Sequence, residues 1–293
     1  MIVTEAQIAE YQAQGCTRVE GVFSDWVAPL TEALDRIHAR FKAGETPRPD
    51  ALSPVQNPPS IHLSGDGGIQ LRNCMPLDPV FEAWAHRSVA AQMVGELMQA
   101  SHVALWMDAS FIKLGGDPDA ATPWHNDVCT FPFVGEHLPS LWIALTDVSE
   151  DNAPMLTLAG SNRDPFRYHS PLSRQDMTLP GYRPWAELEA RCAAPDAPIK
   201  IWPARAGDAL LIHPKTIHAS LPRAPGLPGR RIAFTTRWVG SDVVWQPDAF
   251  SAVIRELGSH PEMHPGAPPP ESLFPVLWRR QGRAEDQAPP AGS

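Results

Sequence analysis

From about residue 102 to residue 240 the chain is written in short runs rich in Val, Ile, Leu, Trp and Phe, cut by Gly, Pro, Asp and Asn. Eight such runs can be marked, at 102–107, 110–114, around His125, 140–148, 154–159, 198–202, 208–213 and 230–239. Branched and aromatic residues pack well on a pleated surface, and the intervening residues are those that turns require. Eight strands in close succession point to a jelly roll or barrel and not to alternating βαβ units. The expected fold is therefore mainly β.

Helical spacing is confined to the flanks. Ile8 and Tyr11 place a helix over 4–14, and Val27, Leu30, Leu34, Ile37 and Phe41 place another over 25–43, with Ser24 or Asp25 as its N-cap. Thr17–Phe23 between them reads as a strand, and the Pro-rich 44–60 as an irregular loop. Residues 78–100 read as a single helix, because Phe81, Trp84, Val89, Met93, Leu97 and Met98 lie close to one stripe. Shorter helices are expected at 184–192 and 247–257. The glycine-rich 62–76, with His62, Gly65, Gly67, Gly68 and Arg72, lacks the spacing of a phosphate loop and reads as a pocket edge. Residues 1–258 are expected to form one domain with its core at about 102–240, followed by a Pro-rich C-terminal tail over 259–293.

A net charge of −9 argues against nucleic acid or an anionic membrane as partner, because both require a basic footprint. No apolar run approaches the ~18 residues of a membrane span, and the polar N-terminus lacks a signal pattern. Cys16, Cys74, Cys129 and Cys192 form no CxxC pair. A cytoplasmic location with reduced thiols is the expectation. Nothing in the sequence fixes an oligomeric state.

Within TPWHNDVCTFPF, residues 122–133, His125 and Asp127 would project from one side of a strand and could close on one metal ion. By itself the pattern is weak. Eleven His and 33 acidic residues yield about one His-x-acid match by chance, and His260-Pro261-Glu262 is another. A second histidine would complete the two-His-one-carboxylate set that leaves positions open on a non-haem Fe(II). His218 stands just beyond the strand of GDALLIHPKTIHAS, and His213 is its competitor. Pro214 interrupts the strand, so alternation does not decide between them.

Thirteen residues after His218, Arg230-Arg231 opens a β-like run. An inward guanidinium there could grip the far carboxylate of a 2-oxo acid such as 2-oxoglutarate. Alternation groups Arg231 with Ala233, Thr235 and Arg237, and Arg230 with Ile232, Phe234 and Thr236. The first set is the more polar, which favours Arg231 and leaves Arg230 as the alternative.

These pieces together resemble the phytanoyl-CoA dioxygenase family of Fe(II)/2-oxoglutarate-dependent oxygenases. FIKLGG, WHNDVCTFPF, LWIALTDVSEDNAPMLTLAGSNRD, GDALLIHPKTIHAS and the arginine strand occur in the family's order over about Phe111–Trp238. The resemblance implies a double-stranded β-helix, a cupin-like jelly roll with the N-terminal helices packed outside. It implies His125, Asp127 and His218 as catalytic iron ligands, Arg231 as the 2-oxoglutarate anchor, and Thr122, Trp142 and Lys113 at or near the cosubstrate pocket. Phe131, Phe133 and Trp142 also fit plain core positions. Three departures stand out: Ala153 replaces a usual glycine, and Ala159 and Asn162 replace the proline and histidine of a P-G-S-H turn.

The activity implied uses Fe(II), 2-oxoglutarate and O₂, releases succinate and CO₂, and hydroxylates an aliphatic C–H of a small metabolite, anionic ones included. Rivals are a metal-binding jelly roll without turnover, acting as sensor or scaffold, and a zinc hydrolase, which would leave the arginine strand without a use. A halogenase is disfavoured, because the resemblance puts Asp127 where halogenating relatives have Ala or Gly.

Overall fold

The computed structural model describes residues 1–45, 59–63, 68–115, 120–171, 179–251 and 255–281. Gly65, Gly67 and the Pro-rich 286–293 lie outside these. Two antiparallel sheets face each other. The larger runs Cys16–Val19, Ala209–Ile212, Ser140–Ala144, Arg231–Gly240, His102–Lys113, Ile69–Arg72 and Ser60–Leu63, with Val276–Arg279 also paired to His102–Lys113. The smaller runs Ile199–Trp202, Met155–Leu158, His218–Ser220 and Thr122–His125. This is the expected jelly roll.

Alternation along Arg231–Gly240 sorts the two faces of the large sheet. Ile232, Phe234 and Trp238 join a core with the helices Glu5–Gln14, Val27–Lys42, Pro79–Arg87 and Ala90–Met98, where Trp84 meets Phe234 edge-on at 5.1 Å between centroids. Ala233, with Trp142, Leu210 and Ile212, faces the small sheet and packs with Met155 and Trp202. The helices therefore lie outside, and the space between the sheets is left for a site.

The first helix begins with a Thr4–Gln7 capping box and stops at Gly15, whose φ of 80° is left-handed. Glycine is also required there by contact, since a Cβ would lie 2.1 Å from Thr216 Oγ1. The Gly15 carbonyl accepts from that hydroxyl at 2.7 Å and from the His213 amide at 2.8 Å. One helix end is thus tied to the turn that precedes His218.

Several expectations need correction. The 25–43 helix begins as the 3₁₀ turn Ser24–Trp26, and the α-helix Val27–Lys42 follows with Trp26 at the N-cap and no side-chain cap from Ser24 or Asp25. The 78–100 helix is two helices, broken at Ser88 and Val89. The runs 102–107 and 110–114 are one twelve-residue strand. Residues 69–72, expected in a loop, form a strand of the large sheet. The segment from 259, expected as a tail, buries Met263, Leu273 and Phe274 and adds Val276–Arg279 to the sheet. Among the described residues, no helix is long and apolar enough to cross a membrane.

Candidate metal centre

His125 ends its strand and His218 begins another, and the two residues are direct partners in the antiparallel register. Their rings stand 4.2 Å apart between centroids. Asp127 reaches the same point from a different element than expected. The strand stops at His125, Asn126 stays extended, and Asp127 opens the 3₁₀ turn Asp127–Cys129. One donor atom from each of His125, Asp127 and His218 lies within 4.8 Å of the others, which suits a single ion.

The surroundings orient these donors. His125 Nδ1 lies 2.8 Å from the Pro123 carbonyl and His218 Nδ1 lies 2.9 Å from the Thr216 carbonyl. A carbonyl can only accept, so in the neutral ring each Nδ1 carries the proton and each Nε2 has its lone pair free for an ion. Asp127 Oδ2 accepts from Ser140 Oγ at 2.6 Å and Oδ1 from Arg237 Nη2 at 2.9 Å. Burial alone would raise the Asp127 carboxyl, but Arg237 and the two histidines outweigh it and hold the group well below the usual carboxylate range. Burial, then the neighbouring His218, pushes His125 down to about 4. Both groups are therefore in the ligating form at neutral pH.

Arg231 is 1% exposed. Its Nη2 donates to the Ala153 carbonyl at 3.0 Å and to Ser220 Oγ at 3.3 Å, while its buried Nε has no partner. Burial pushes the guanidinium down to about 10. Among the described residues no carboxylate pairs with it, and the Trp142 ring 5.2 Å away is an incomplete substitute. Ala153 itself has a left-handed φ of 51°, a strained setting for alanine that aims its carbonyl at the arginine. Arg230, by contrast, turns outward and pairs with Asp35 through both nitrogens, at 2.5 and 2.7 Å.

His125, Asp127 and Arg237 sit where two chambers meet. The inner one, about 60 Å³, is closed by Trp142, Ser220, Arg231 and Thr235. The outer one, about 410 Å³, opens past Trp106, Phe131 and Arg72. Thr122 borders both. Lys113 is the strand partner of Arg231 but stands behind the inner wall, donating to Ser220 Oγ at 3.1 Å. His213 lies elsewhere, 3.0 Å from Glu136 Oε2 and packed on Tyr11.

Thr235 falls on the inward face that alternation assigns to Arg231, whereas Ser140 and Ser220 carry no signal in the sequence. Ser140 is a strand residue like many others, and only its register opposite Arg237 explains why both side chains reach Asp127.

The sequence model of the family described as Phytanoyl-CoA dioxygenase (PhyH) matches residues 11–230. The chain belongs to the phytanoyl-CoA dioxygenase family. No curated protein matches the sequence. Among solved structures, the non-haem alpha-ketoglutarate-dependent carbocyclase SnoK from nogalamycin biosynthesis superposes with a TM-score of 0.67 at 19% identity, covering 94% of this chain and 96% of its own. The epimerase SnoN in complex with Fe3+, alpha-ketoglutarate and nogalamycin RO gives 0.66 at 23%, covering 94% and 98%. EctD from S. alaskensis with 2-oxoglutarate and 5-hydroxyectoine gives 0.61 at 19%, covering 81% and 76%. At such identities the likeness is one of fold. Of the family-derived positions, the match reaches Lys113, Thr122, His125, Asp127, Trp142 and His218 but ends at Arg230, so Arg231 rests on its own environment.

Proposed function

We propose that this phytanoyl-CoA dioxygenase family member is an Fe(II)- and 2-oxoglutarate-dependent oxygenase that hydroxylates an aliphatic C–H of a small molecule. The observation that carries the reading is the pairing, in one inner chamber, of a three-donor centre with a buried arginine that has no carboxylate partner among the described residues. A metal site alone would fit a sensor or scaffold. The unsatisfied guanidinium asks for an anion of its own, and the far carboxylate of 2-oxoglutarate supplies one.

Iron with bound 2-oxoglutarate and O₂ would supply the oxidant, with succinate and CO₂ as co-products. His125, Asp127 and His218 would hold the ion through two neutral imidazole Nε2 atoms and one carboxylate, leaving positions free for other ligands. The Pro123 and Thr216 carbonyls fix the imidazoles, and Ser140 fixes the carboxylate. Arg237 keeps Asp127 ionised. Arg231, with Ser220 beside it, would orient the cosubstrate lengthwise in the narrow chamber, while Trp142 and Met155 keep bulk water from its walls. The outer chamber is left to the substrate. Hydroxylation is the simplest outcome of such a site, and carbocyclisation or epimerisation, named for SnoK and SnoN, are the outcomes against which it is to be measured.

The test is succinate formation from 2-oxoglutarate under air with Fe(II), compared with Zn(II) and with no metal. Iron-dependent succinate that disappears in His125→Ala and His218→Ala and persists in His213→Ala supports the proposal. Metal binding without succinate under any condition would leave the sensor reading in its place.

A further inference from the structure

The outer chamber has an uneven chemistry. Its walls carry the aromatic rings of Trp106, Phe111, Phe131 and Phe250, with Trp106 and Phe131 edge-to-face at 4.9 Å. The strand register loses one residue at Trp106, between the Arg237–Met107 and Trp238–Leu105 pairs. That bulge lets Trp106 and Met107 both face the chamber, where strict alternation would have turned one away. Among the described residues, Asp127 is the only carboxylate on these walls, and Arg237 is already engaged with it.

Arg72 is the remaining cation. It stands on the strand Ile69–Arg72, at the chamber edge beside Gln70. With the Gln70 amide turned to satisfy its neighbours, its carbonyl accepts from Arg72 Nη2 and Nε, both at 3.2 Å. Gln70 therefore steers the fork without neutralising it. The side chain stays partly in solvent, yet reaches inward far enough for burial and then the Arg237 charge to lower its pKa. In a chain with 33 acidic residues, a guanidinium that has no carboxylate partner among the described residues, at the mouth of an aromatic chamber, is a docking point for an anion.

Resting on the oxygenase reading of the site, we propose that the substrate is a small monocarboxylate with a ring-bearing apolar body. Its carboxylate is held by Arg72, and its body lies against Trp106, Phe111, Phe131 and Phe250, which presents a C–H toward His125 and Asp127. The chamber volume of about 410 Å³ falls toward the lower end of small-ligand sites, which suits a molecule of this size.

The test measures binding and needs no turnover. The full-length, metal-free protein is titrated calorimetrically with 3-phenylpropanoate and with its neutral isostere 3-phenylpropanamide. The acid should bind at least about tenfold tighter than the amide, the effect of a hydrogen-bonded charge. Arg72→Gln should bring that ratio close to one while leaving the amide affinity unchanged, Arg72→Lys should retain part of it, and Trp106→Ala should weaken both ligands. Each variant is checked for a wild-type thermal midpoint, and the lysine variant decides if the glutamine variant fails to fold. Equal affinity of acid and amide, no binding of the acid up to about 10 mM, or a preference that survives Arg72→Gln would overturn the proposal. So would a preference lost only in Arg231→Gln, which would place the anion in the inner chamber. Since neither iron nor 2-oxoglutarate is present, failure here leaves the succinate assay standing, and failure of that assay leaves this result standing.

Discussion

Arg231 offers the sharpest test, because burying it costs the protein stability that a bound carboxylate would recover. Burial lowers its pKa from the ordinary arginine range to about 10. At about 1.4 kcal/mol per unit, the folded state disfavours the charged form by about 3 kcal/mol. The sign follows from linkage. A base whose folded pKa lies below its unfolded one carries the full penalty at every pH below about 10, so the penalty is complete at pH 7. Hydrogen bonds to Ala153 and Ser220 and the Trp142 ring recover part of it. Arg231→Met removes the charge and fills much the same volume. The ligand-free variant should therefore stay within about 1 kcal/mol of wild type or exceed it, where loss of an ordinary large buried side chain costs about 2–5 kcal/mol. The cosubstrate, by contrast, loses the partner of a desolvated carboxylate, so the apparent KM for 2-oxoglutarate should rise at least about thirtyfold. Urea unfolding of the ligand-free protein and 2-oxoglutarate titrations by succinate release give the two numbers. An Arg231→Met protein that loses about 3 kcal/mol and keeps its KM would make the arginine a structural group. An equal rise in KM from Arg230→Met would assign the anchor to the wrong residue.

Three further outcomes follow from the same geometry. Ser140→Ala removes the 2.6 Å bond to Asp127 Oδ2 and should weaken metal binding about 10- to 100-fold in chelator competition, with the fold intact by circular dichroism; unchanged affinity would deny Ser140 its orienting part. Glu136 is held down to about 2, first by His213 and then by Lys215 against burial, so its contribution to stability is full above about 4.5 and fades as pH falls toward 2. The group is half-exposed, so Glu136→Gln should flatten the acid limb of a pH–stability curve by about 1 kcal/mol at most, and an unchanged limb would refute the assignment. Asp127→Gly strips Arg237 of its partner beside two histidines, so bromide should appear there as an anomalous scattering peak in crystals of the variant. Wild type, with the carboxylate in place, should give no halogenated product in excess chloride or bromide.

The jelly roll was legible because strand alternation and turn residues are local properties. The errors have equally local causes. Asp108 reads as a break between two short strands, yet its buried carboxylate accepts from the Cys74 and Met75 amides and from the Cys74 thiol, so an acid sits comfortably in mid-strand. Pro-rich composition after 259 reads as tail, but Met263, Leu273 and Phe274 anchor it to the Trp106 and Phe133 cluster, and a few large side chains suffice. The stripe from Phe81 to Met98 survives a break at Ser88 because both halves press on the same sheet, so periodicity alone could not reveal two helices.

The site was legible only as far as spacing reaches. His-x-Asp is a spacing, and it brought the two residues together even though the carboxylate comes from a 3₁₀ turn and not from the strand. Everything else about the centre is a matter of register. His125 faces His218, Lys113 faces Arg231, and Arg237 faces Ser140, each pair joining residues at least 93 positions apart. A slip of one residue in any of these ladders would turn the side chains of one strand to the opposite face. It would leave Asp127 with one supporting partner or none, or separate the two imidazoles. The outward faces prevent this, because Ile232, Phe234 and Trp238 must meet the helices for Arg231, Thr235 and Arg237 to meet the cavity. The apolar packing on the far side of the sheet therefore sets the geometry of the polar centre. The strongest determinants of the candidate site are thus residues that never touch it, which is why a reading from chemistry-bearing residues alone found its donors but not their supports.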